Sequence, residues 1–292
     1  MRISKEMSRP ISRKVVTPPP APGFIGPGHT AVDVVRSTAL QESDPFVLLM
    51  DDRLDIAKRR QIGGPHPHAG LETVTFVLEG ALFDRDEGEL AAGDVVWMSA
   101  GRGIVHNEDV ETVGRTRILQ LWIALRARDR SSAPDFEVVR GRDAPVLRAA
   151  GVEARLYSGS SGALRSPTRN RVPVTMMDVS LAPGATFHQD LPTSYNGFLY
   201  VLSGKVLVGS ATIASGEVGW LGPSTSEDLS VSAGDSGARF VLYAGERIAE
   251  PLVHQGPFVA GSREEIVELH RRFRAGEFDR VSQLTAGHAS HA

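Results

Sequence analysis

Short apolar segments separated by turn residues dominate the chain between residues 45 and 250. Residues 73–78 run Thr-Val-Thr-Phe-Val-Leu, and residues 117–123 form another segment rich in β-branched and aromatic side chains. Such residues are typical of β-strands, and glycine-containing turns such as Glu79-Gly80 separate them. Because no amphipathic helical pattern lies between these segments, the pattern predicts an all-β sandwich or barrel.

One stretch of the sequence occurs twice. Residues 76–98 and residues 200–221 both pass from an apolar strand through a glycine and a hairpin to a Gly-acid-Val turn and a tryptophan. The copies lie about 124 residues apart, which is too long for a solenoid repeat and fits a duplicated domain. Two unrelated hairpins with common turn chemistry are the alternative. The charged, proline-containing residues 126–150 are expected to contain the linker.

These patterns divide the chain into five segments. The first is rich in Pro and Gly and is expected to be an extended arm, because proline fixes φ and removes a backbone donor. In the last, Ser262 and Glu265 form a capping box, and Ile266, Leu269 and Phe273 follow at helical spacing. We expect the arm at residues 1–30, a first barrel with a metal site at 31–135 and a linker at 136–150. A second barrel without a metal site is expected at 151–260, and a C-terminal helix with a disordered tail at 261–292.

The composition narrows the chemistry. The chain has 292 residues, 41% of them hydrophobic, and a formal net charge of −3, so nothing draws it to nucleic acid or an anionic membrane. It contains no cysteine, which excludes disulfides, thiolate metal sites and cysteine nucleophiles. No apolar run approaches the ~18 residues that span a bilayer, and no secretory signal is visible. We therefore expect a cytoplasmic monomer whose metal, if any, is held mainly by His, Asp or Glu.

Two short motifs carry groups that could bind such a metal. His66-Pro67-His68 precedes the strand that contains residues 73–78, and His106-Asn107-Glu108 follows a Gly-rich turn. Side chains two residues apart in a strand point to the same face, so two neighbouring strands could bring four ligands together. Three imidazoles and a carboxylate suit a divalent first-row metal, and iron, manganese and zinc all remain open on spacing alone. The ligand types favour Fe(II).

Three longer segments contain or follow these motifs: HPHAGLETVTFVLEG (66–80), GDVVWMSAGRGIVHNE (93–108) and LQLWIAL (119–125). They resemble the signature of the pirin family, and the resemblance extends through residues 181–187, 240–259 and 263–266. Pirins are two-barrel cupins, so the resemblance implies two tandem cupin (jelly-roll) β-barrels with a C-terminal helix. It also implies one iron per chain in the N-terminal barrel, with His66, His68, His106 and Glu108 as its ligands.

Three neighbouring positions qualify the resemblance. Glu72 lies where many cupins place a carboxylate ligand, but the pirin pattern gives that role to Glu108, so Glu72 is expected to be structural. Pirins often carry arginine at the position of Ala69 and an aromatic residue at the position of Leu71. These departures leave the expected ligands intact and affect the substrate preference, because they lie beside the pocket.

The resemblance implies a flavonol-cleaving dioxygenase of the quercetin 2,3-dioxygenase type, with a flavonol and O₂ as its partners. Glu108 could then take the proton of the 3-hydroxyl group through its second oxygen. The first alternative is a metal- or redox-sensing regulatory protein that binds a transcription factor or a metabolic enzyme without turnover. The second is a metal-dependent isomerase or a different oxygenase, because one fold hosts many chemistries.

Two further expectations concern residues near the proposed site and its repeat. Trp97 and Met98 could line the pocket, but core packing is the better interpretation of both. In the second copy the positions matching His66 and His68 are Asp190 and Pro192. The second barrel is therefore expected to be filled by its own side chains, with His188 at its mouth.

Overall fold

The structure, a computed structural model, describes residues 8–23, 26–36, 40–62, 64–84, 88–107, 110–282 and 284. Its chain divides into two compact units, here called unit A and unit B. Unit A takes the described residues within 18–143, 170–172 and 248–292, and unit B takes those within 1–17, 144–169 and 173–247. No described helix is long and apolar enough to cross a membrane.

Most of the described chain is β-strand, as the short apolar segments separated by turn residues predict, so the all-β expectation is confirmed. Among the described residues, the named helices are α1 (Leu40–Ser43) and α2 (Arg263–Arg274). The strands are β1 (Ile11–Val16), β2 (Ala21–Pro22), β3 (His29–Arg36), β4 (Phe46–Ile62), β5 (Pro65–His68), β6 (Leu71–Glu79), β7 (Ala81–Asp84), β8 (Gly88–Ala91), β9 (Val95–Ser99), β10 (Ile104–Asn107), β11 (Val110–Ala124), β12 (Asp135–Val139), β13 (Val146–Ala149), β14 (Val152–Ser158), β15 (Ser160–Ser161), β16 (Leu164–Arg165), β17 (Val174–Leu181), β18 (Thr186–Asp190), β19 (Tyr195–Val208), β20 (Ala211–Ala214), β21 (Glu217–Leu221), β22 (Asp228–Glu246), β23 (Val253–Gln255), β24 (Phe258–Ala260) and β25 (Asp279–Arg280).

Unit A is built on a large antiparallel sheet in the order β12-β9-β6-β11-β4-β3-β2, with β7 attached to β11 and β8 attached to β7. Alternate residues of its strands pack into a buried apolar cluster that includes Leu54, Val77 and Val96. A separate three-stranded sheet in the order β25-β10-β5 carries the two histidine motifs. Its β5–β10 pair is antiparallel and its β10–β25 pair is parallel.

Unit B is also a large antiparallel sheet, in the order β1-β21-β19-β22-β17-β14-β13 with β18 and β20 at its side. Its interior is filled by buried apolar side chains, among them Phe187, Leu199, Ile213 and Phe240. The rings of Phe187 and Phe240 meet edge to face at 6.3 Å. The interior packing matches what was expected of the second copy, while the expected lack of a metal site there stays a prediction.

The segment expected to be the linker, residues 136–150, contains residues from two strands. Within the expected linker at 136–150, most of β12 belongs to the sheet of unit A, where it pairs with β9. Strand β13 belongs to unit B, so residues 140–145 connect the two. Backbone hydrogen bonding decides these assignments, because a charged edge strand has the composition of a linker.

The N-terminal arm belongs to both units. Strand β1 pairs with β21 of unit B, and the buried Arg9 guanidinium donates to the carbonyl oxygens of Gly222, Pro192 and Tyr195. Strand β2 pairs with β3 of unit A. Residues 8–23 are therefore ordered by hydrogen bonds, in keeping with an extended arm that lies on the body of the protein.

The C-terminal helix forms where the capping box predicts. The Ser262 hydroxyl accepts a hydrogen bond from the Glu265 backbone N–H at 3.3 Å, and Ile266 is buried. Ile266 belongs to a buried apolar cluster with Phe258 and Phe278, and Leu269 packs against that cluster. Phe273 is 37% exposed. Residues 285–292, where a disordered tail is expected, lie outside the described residues.

Candidate metal centre

The pairing of β5 with β10 brings three histidines together. The antiparallel register sets His66 opposite His106 and His68 opposite Ile104. Because His66 and His68 lie two residues apart in an extended strand, their side chains point to one face, towards His106. The rings of His66 and His106 are 4.2 Å apart, and one ligand nitrogen from each of the three rings lies within 4.8 Å of the others.

Hydrogen bonds define the tautomer of His66. Its Nδ1 atom lies 3.0 Å from the carbonyl oxygen of Gly64, and a carbonyl oxygen only accepts, so Nδ1 carries the hydrogen. The Nε2 atom of this tautomer carries a lone pair, and it lies 2.8 Å from Nε2 of His106. A backbone carbonyl that orients one imidazole nitrogen and leaves the other to bind is typical of metal-ligating histidines.

The surroundings keep the other two rings neutral. Burial, aided by the nearby His66, lowers the pKa of His106 to about 3. Burial and the two neighbouring rings also hold the pKa of His68 well below its ordinary value, although the Pro257 carbonyl acts in the opposite direction. Both rings are therefore uncharged at neutral pH, which is the form that binds metals.

Three clustered, neutral imidazoles fit a divalent first-row metal. The buried Nδ1 atom of His68 makes no hydrogen bond of normal geometry within the described residues, which is consistent with a ring that binds a metal. The donor set of this chain therefore suits a metal, and neutral nitrogen ligands do not decide which one.

The two acidic positions of the sequence analysis have different outcomes. Glu108, the expected fourth ligand, lies outside the described residues. Glu72 is completely buried and accepts a hydrogen bond from the Arg171 backbone N–H at 3.0 Å. Strand alternation points Glu72 to the opposite face from Thr75, which lines the cavity described below. This placement agrees with a structural role for Glu72.

A cavity of about 550 Å³ in unit A adjoins the histidine cluster. Its size is that of small-molecule sites, and its wall is mostly apolar. The Thr75 hydroxyl donates to the Gln120 side chain across this wall at 2.8 Å. The lining residues are His66 and His68, with Leu48, Met50, Leu54, Leu82, Ile118 and Trp122 as large apolar side chains, Asp33, Arg36, Asp52, Thr75 and Gln120 as polar ones, and Pro18, Pro19, Ala21, Pro22, Gly23 and Ala31 completing the wall.

The aromatic residue beside the histidines is Trp122. Its ring meets that of His68 edge to face at 4.9 Å and that of His254 at 5.8 Å. Trp97 and Met98 are 2% and 1% exposed and do not line the cavity, so core packing is the correct interpretation of both. The alternation of Ile118, Gln120 and Trp122 on one strand was the signal that could have revealed this wall.

In unit B, His188 lies on strand β18 with an exposed side chain, 65% accessible, and its Nδ1 atom is 3.3 Å from Asp228 Oδ1. The neighbouring Gln189 is buried and donates to the Ser160 carbonyl at 2.9 Å. Asp190 is exposed at the end of the same strand. The three described histidines that cluster as possible ligands all belong to unit A.

Two protein-family models match the chain. The model described as "Pirin" matches residues 29–123, and the model described as "Pirin C-terminal cupin domain" matches residues 176–279. A curated "Pirin-like protein" from Solanum lycopersicum is 37% identical over 255 residues, which covers 84% of this chain and 86% of that protein.

Solved structures agree on the fold. A quercetin 2,3-dioxygenase from Acinetobacter baumannii superposes with a TM-score of 0.83 at 24% identity, covering 93% of this chain and 98% of that one. The bacterial pirin YhhW from Escherichia coli, solved in complex with nickel(II), gives a TM-score of 0.57 at 17% identity over 82% of this chain and 97% of that one. The predicted pair of cupin domains is thereby confirmed.

Proposed function

The chain belongs to the pirin family, and on that premise we propose that it is a metal-dependent dioxygenase, with Fe(II) as its metal, that cleaves a flavonol such as quercetin with O₂. The observation that carries the proposal is the cluster of His66, His68 and His106 at the end of a mostly apolar cavity of about 550 Å³. The proposal includes Glu108 as the fourth ligand.

The apolar wall suits a flat aromatic substrate. Leu48 and Met50 from β4 and Trp122 from β11 line the cavity beside the histidines. Such side chains bind ring surfaces through burial of apolar area and exclude water from the reacting groups. Exclusion of water strengthens every electrostatic interaction within the site.

When bound, a divalent ion would lower the pKa of the flavonol 3-hydroxyl group and hold the substrate and O₂ together. The residues of the chain perform the remaining tasks. The three imidazoles would hold the ion, and the Gly64 carbonyl orients His66. Glu108 would accept the proton of the 3-hydroxyl group.

Turnover of a flavonol panel by the Fe(II)-loaded protein tests this function. Oxygen uptake and loss of the flavonol absorbance should proceed together in air and stop under nitrogen. A chain that holds one iron yet consumes no O₂ with any flavonol would overturn the proposal. A metal-dependent pulldown of a transcription factor or a metabolic enzyme would then favour the regulatory alternative.

A further inference from the structure

The register of the strands orders the cavity wall into rows. Trp122 lies opposite Leu48, Gln120 opposite Met50, and Ile118 opposite Asp52. Trp122 contacts His68, so the row that contains Trp122 and Leu48 lies at the histidine cluster. Asp52 lies four residues along β4 from Leu48, which is about 13 Å at ~3.3 Å per residue. The cavity therefore has a carboxylate well away from the histidines.

Asp52 is held by a buried histidine. The Nε2 atom of His29 lies 2.7 Å from Asp52 Oδ1, and the His29 side chain is completely buried whereas that of Asp52 is 17% exposed. A carboxylate only accepts when ionised, so His29 donates this hydrogen bond. The bond orients Asp52 in the cavity wall and reduces the entropy that it would lose on binding a ligand.

The N-terminal arm encloses His29 from the other side. Gly23 donates its backbone N–H to the His29 carbonyl at 3.0 Å. A Cβ atom at Gly23 would lie 2.1 Å from Nδ1 of the His29 ring, so a side chain there would displace the ring. The close approach of the arm thus depends on glycine at this position and helps to set the geometry of the His29–Asp52 pair.

The other acidic side chain of the wall, Asp33, pairs with an exposed arginine. Asp33 Oδ2 lies 2.6 Å from the Arg36 guanidinium, whose side chain is 72% exposed. The Asp33 side chain is 28% exposed, against 17% for Asp52, so water competes more strongly for hydrogen bonds to Asp33. Asp52 is the more sheltered acceptor, and a hydrogen bond from a neutral hydroxyl to a carboxylate is stronger than one between neutral groups.

We propose that Asp52, positioned by His29, binds a ring hydroxyl group of the substrate at the end of the cavity away from the histidines. The substrate class is then a polyphenol with metal-binding oxygens at one end and a phenolic donor at the other. The identification of that polyphenol as a flavonol rests on the proposed function, whereas the binding role of Asp52 follows from the cavity itself.

Two ligands distinguish the binding role of Asp52 from the proposed function. Quercetin has ring hydroxyl groups besides its metal-binding oxygens, and 3-hydroxyflavone keeps the metal-binding oxygens alone. Binding of each to the Fe(II)-loaded protein is measured under nitrogen by absorbance titration, so that no turnover is required. Asp52→Asn should weaken quercetin binding roughly 10-fold or more and change 3-hydroxyflavone binding less than about twofold. Asp55→Asn, which changes an exposed carboxylate on the same strand, is the matched control.

The positioning role of His29 has its own test. His29→Leu removes the donor to Asp52 and should produce the same ligand-selective loss, whereas His29→Gln keeps an N–H donor and should restore part of the quercetin affinity. Gly23→Ala should resemble His29→Leu, because it displaces the ring without changing either polar group. Metal content and the midpoint of thermal unfolding, measured for every variant, separate a loss of this contact from a loss of fold.

The outcomes distinguish the site from the function. Asp52-dependent binding of quercetin without any O₂ uptake supports the site and rejects the dioxygenase. Turnover of quercetin that is unaffected by Asp52→Asn supports the dioxygenase and overturns the site. Equal losses for both ligands, or no quercetin binding to the unchanged protein, also overturn the role of Asp52.

Discussion

The Nε2 atoms of His66 and His106 face each other at 2.8 Å across the β5–β10 pair, although the two residues are 40 positions apart in the chain. Only one hydrogen can lie between two such atoms, so at least one ring offers a lone pair. With His68 beside them, this arrangement leads to a specific expectation for metal binding.

The first prediction concerns the metal itself. Elemental analysis should find about one metal ion per chain, as expected for a single site. His68→Ala removes one of the clustered imidazoles and should weaken Fe(II) binding roughly 100-fold or more. His254→Ala removes a histidine on the far side of Trp122 and is the control. Full metal occupancy in His68→Ala would refute the assignment of this ligand.

Glu108→Gln separates the two roles proposed for Glu108. A glutamine oxygen can still bind a metal weakly but is a poor proton acceptor. We expect partial retention of iron and a fall in flavonol turnover of roughly 100-fold or more, a typical contribution of a general base. Iron content and the rate of O₂ uptake are measured on the same sample. Retained iron with an unchanged rate would remove Glu108 from the chemistry.

The buried Glu72 should make stability depend on pH. Burial raises the pKa of this carboxyl group to about 7, against the opposing effect of the hydrogen bonds it accepts, the foremost from Arg171. The folded state then binds a proton that the unfolded state has released, from about pH 4.5 to pH 7. The stabilising contribution of the protonated form is complete below that window and is lost as the pH rises through it.

Glu72→Gln removes this titration. Relative to the unchanged protein, the free energy of unfolding of the variant should rise between pH 5 and pH 8, by about 3 kcal/mol at most. Urea unfolding at the two pH values measures the difference in unfolding free energy between the variant and the unchanged protein. The titration of the histidines, which both proteins contain, cancels in this difference. Glu79→Gln, at an exposed position of the same strand, is the control. Parallel pH profiles of Glu72→Gln and the unchanged protein would contradict the prediction.

Asp44 should be important for the stability of unit A. Its two carboxylate oxygens accept hydrogen bonds from the backbone N–H groups of Ile248 and Ala249 at 2.9 and 2.8 Å. Asp44→Ala leaves those donors unpaired in a buried site, so we expect a loss of about 2–4 kcal/mol in the free energy of unfolding. Urea unfolding compares it with Asp55→Ala, whose carboxylate is exposed. Equal stability of the two variants would show that water replaces Asp44.

The final prediction concerns the asymmetry of the two units. His188 in unit B is exposed and pairs with Asp228, and apolar side chains fill the interior behind it. We expect His188→Ala to leave the iron content and the flavonol turnover nearly unchanged. A second tightly bound metal per chain that disappears in this variant would show that the second copy has kept a metal site.

Part of this structure could be predicted from local patterns. The short apolar segments, rich in β-branched and aromatic residues, predict strands, and the repeat of residues 76–98 at 200–221 predicts a second unit of the same class. The spacing of His66 and His68 also determines that they share a face, because alternation in a strand is a property of the backbone. The cap at Ser262 is equally local, since it depends on residues three apart.

The remaining features depend on contacts between distant residues. The spacing within each histidine motif does not reveal that β5 pairs with β10. The tertiary structure supplies the register that places His66 opposite His106. Likewise, nothing in the local sequence marks Asp52 and Trp122 as cavity residues. They line one cavity because β3, β4 and β11 are neighbours in the sheet. Alternation determines which residues share a face, but strand pairing across the sheet decides what that face encloses.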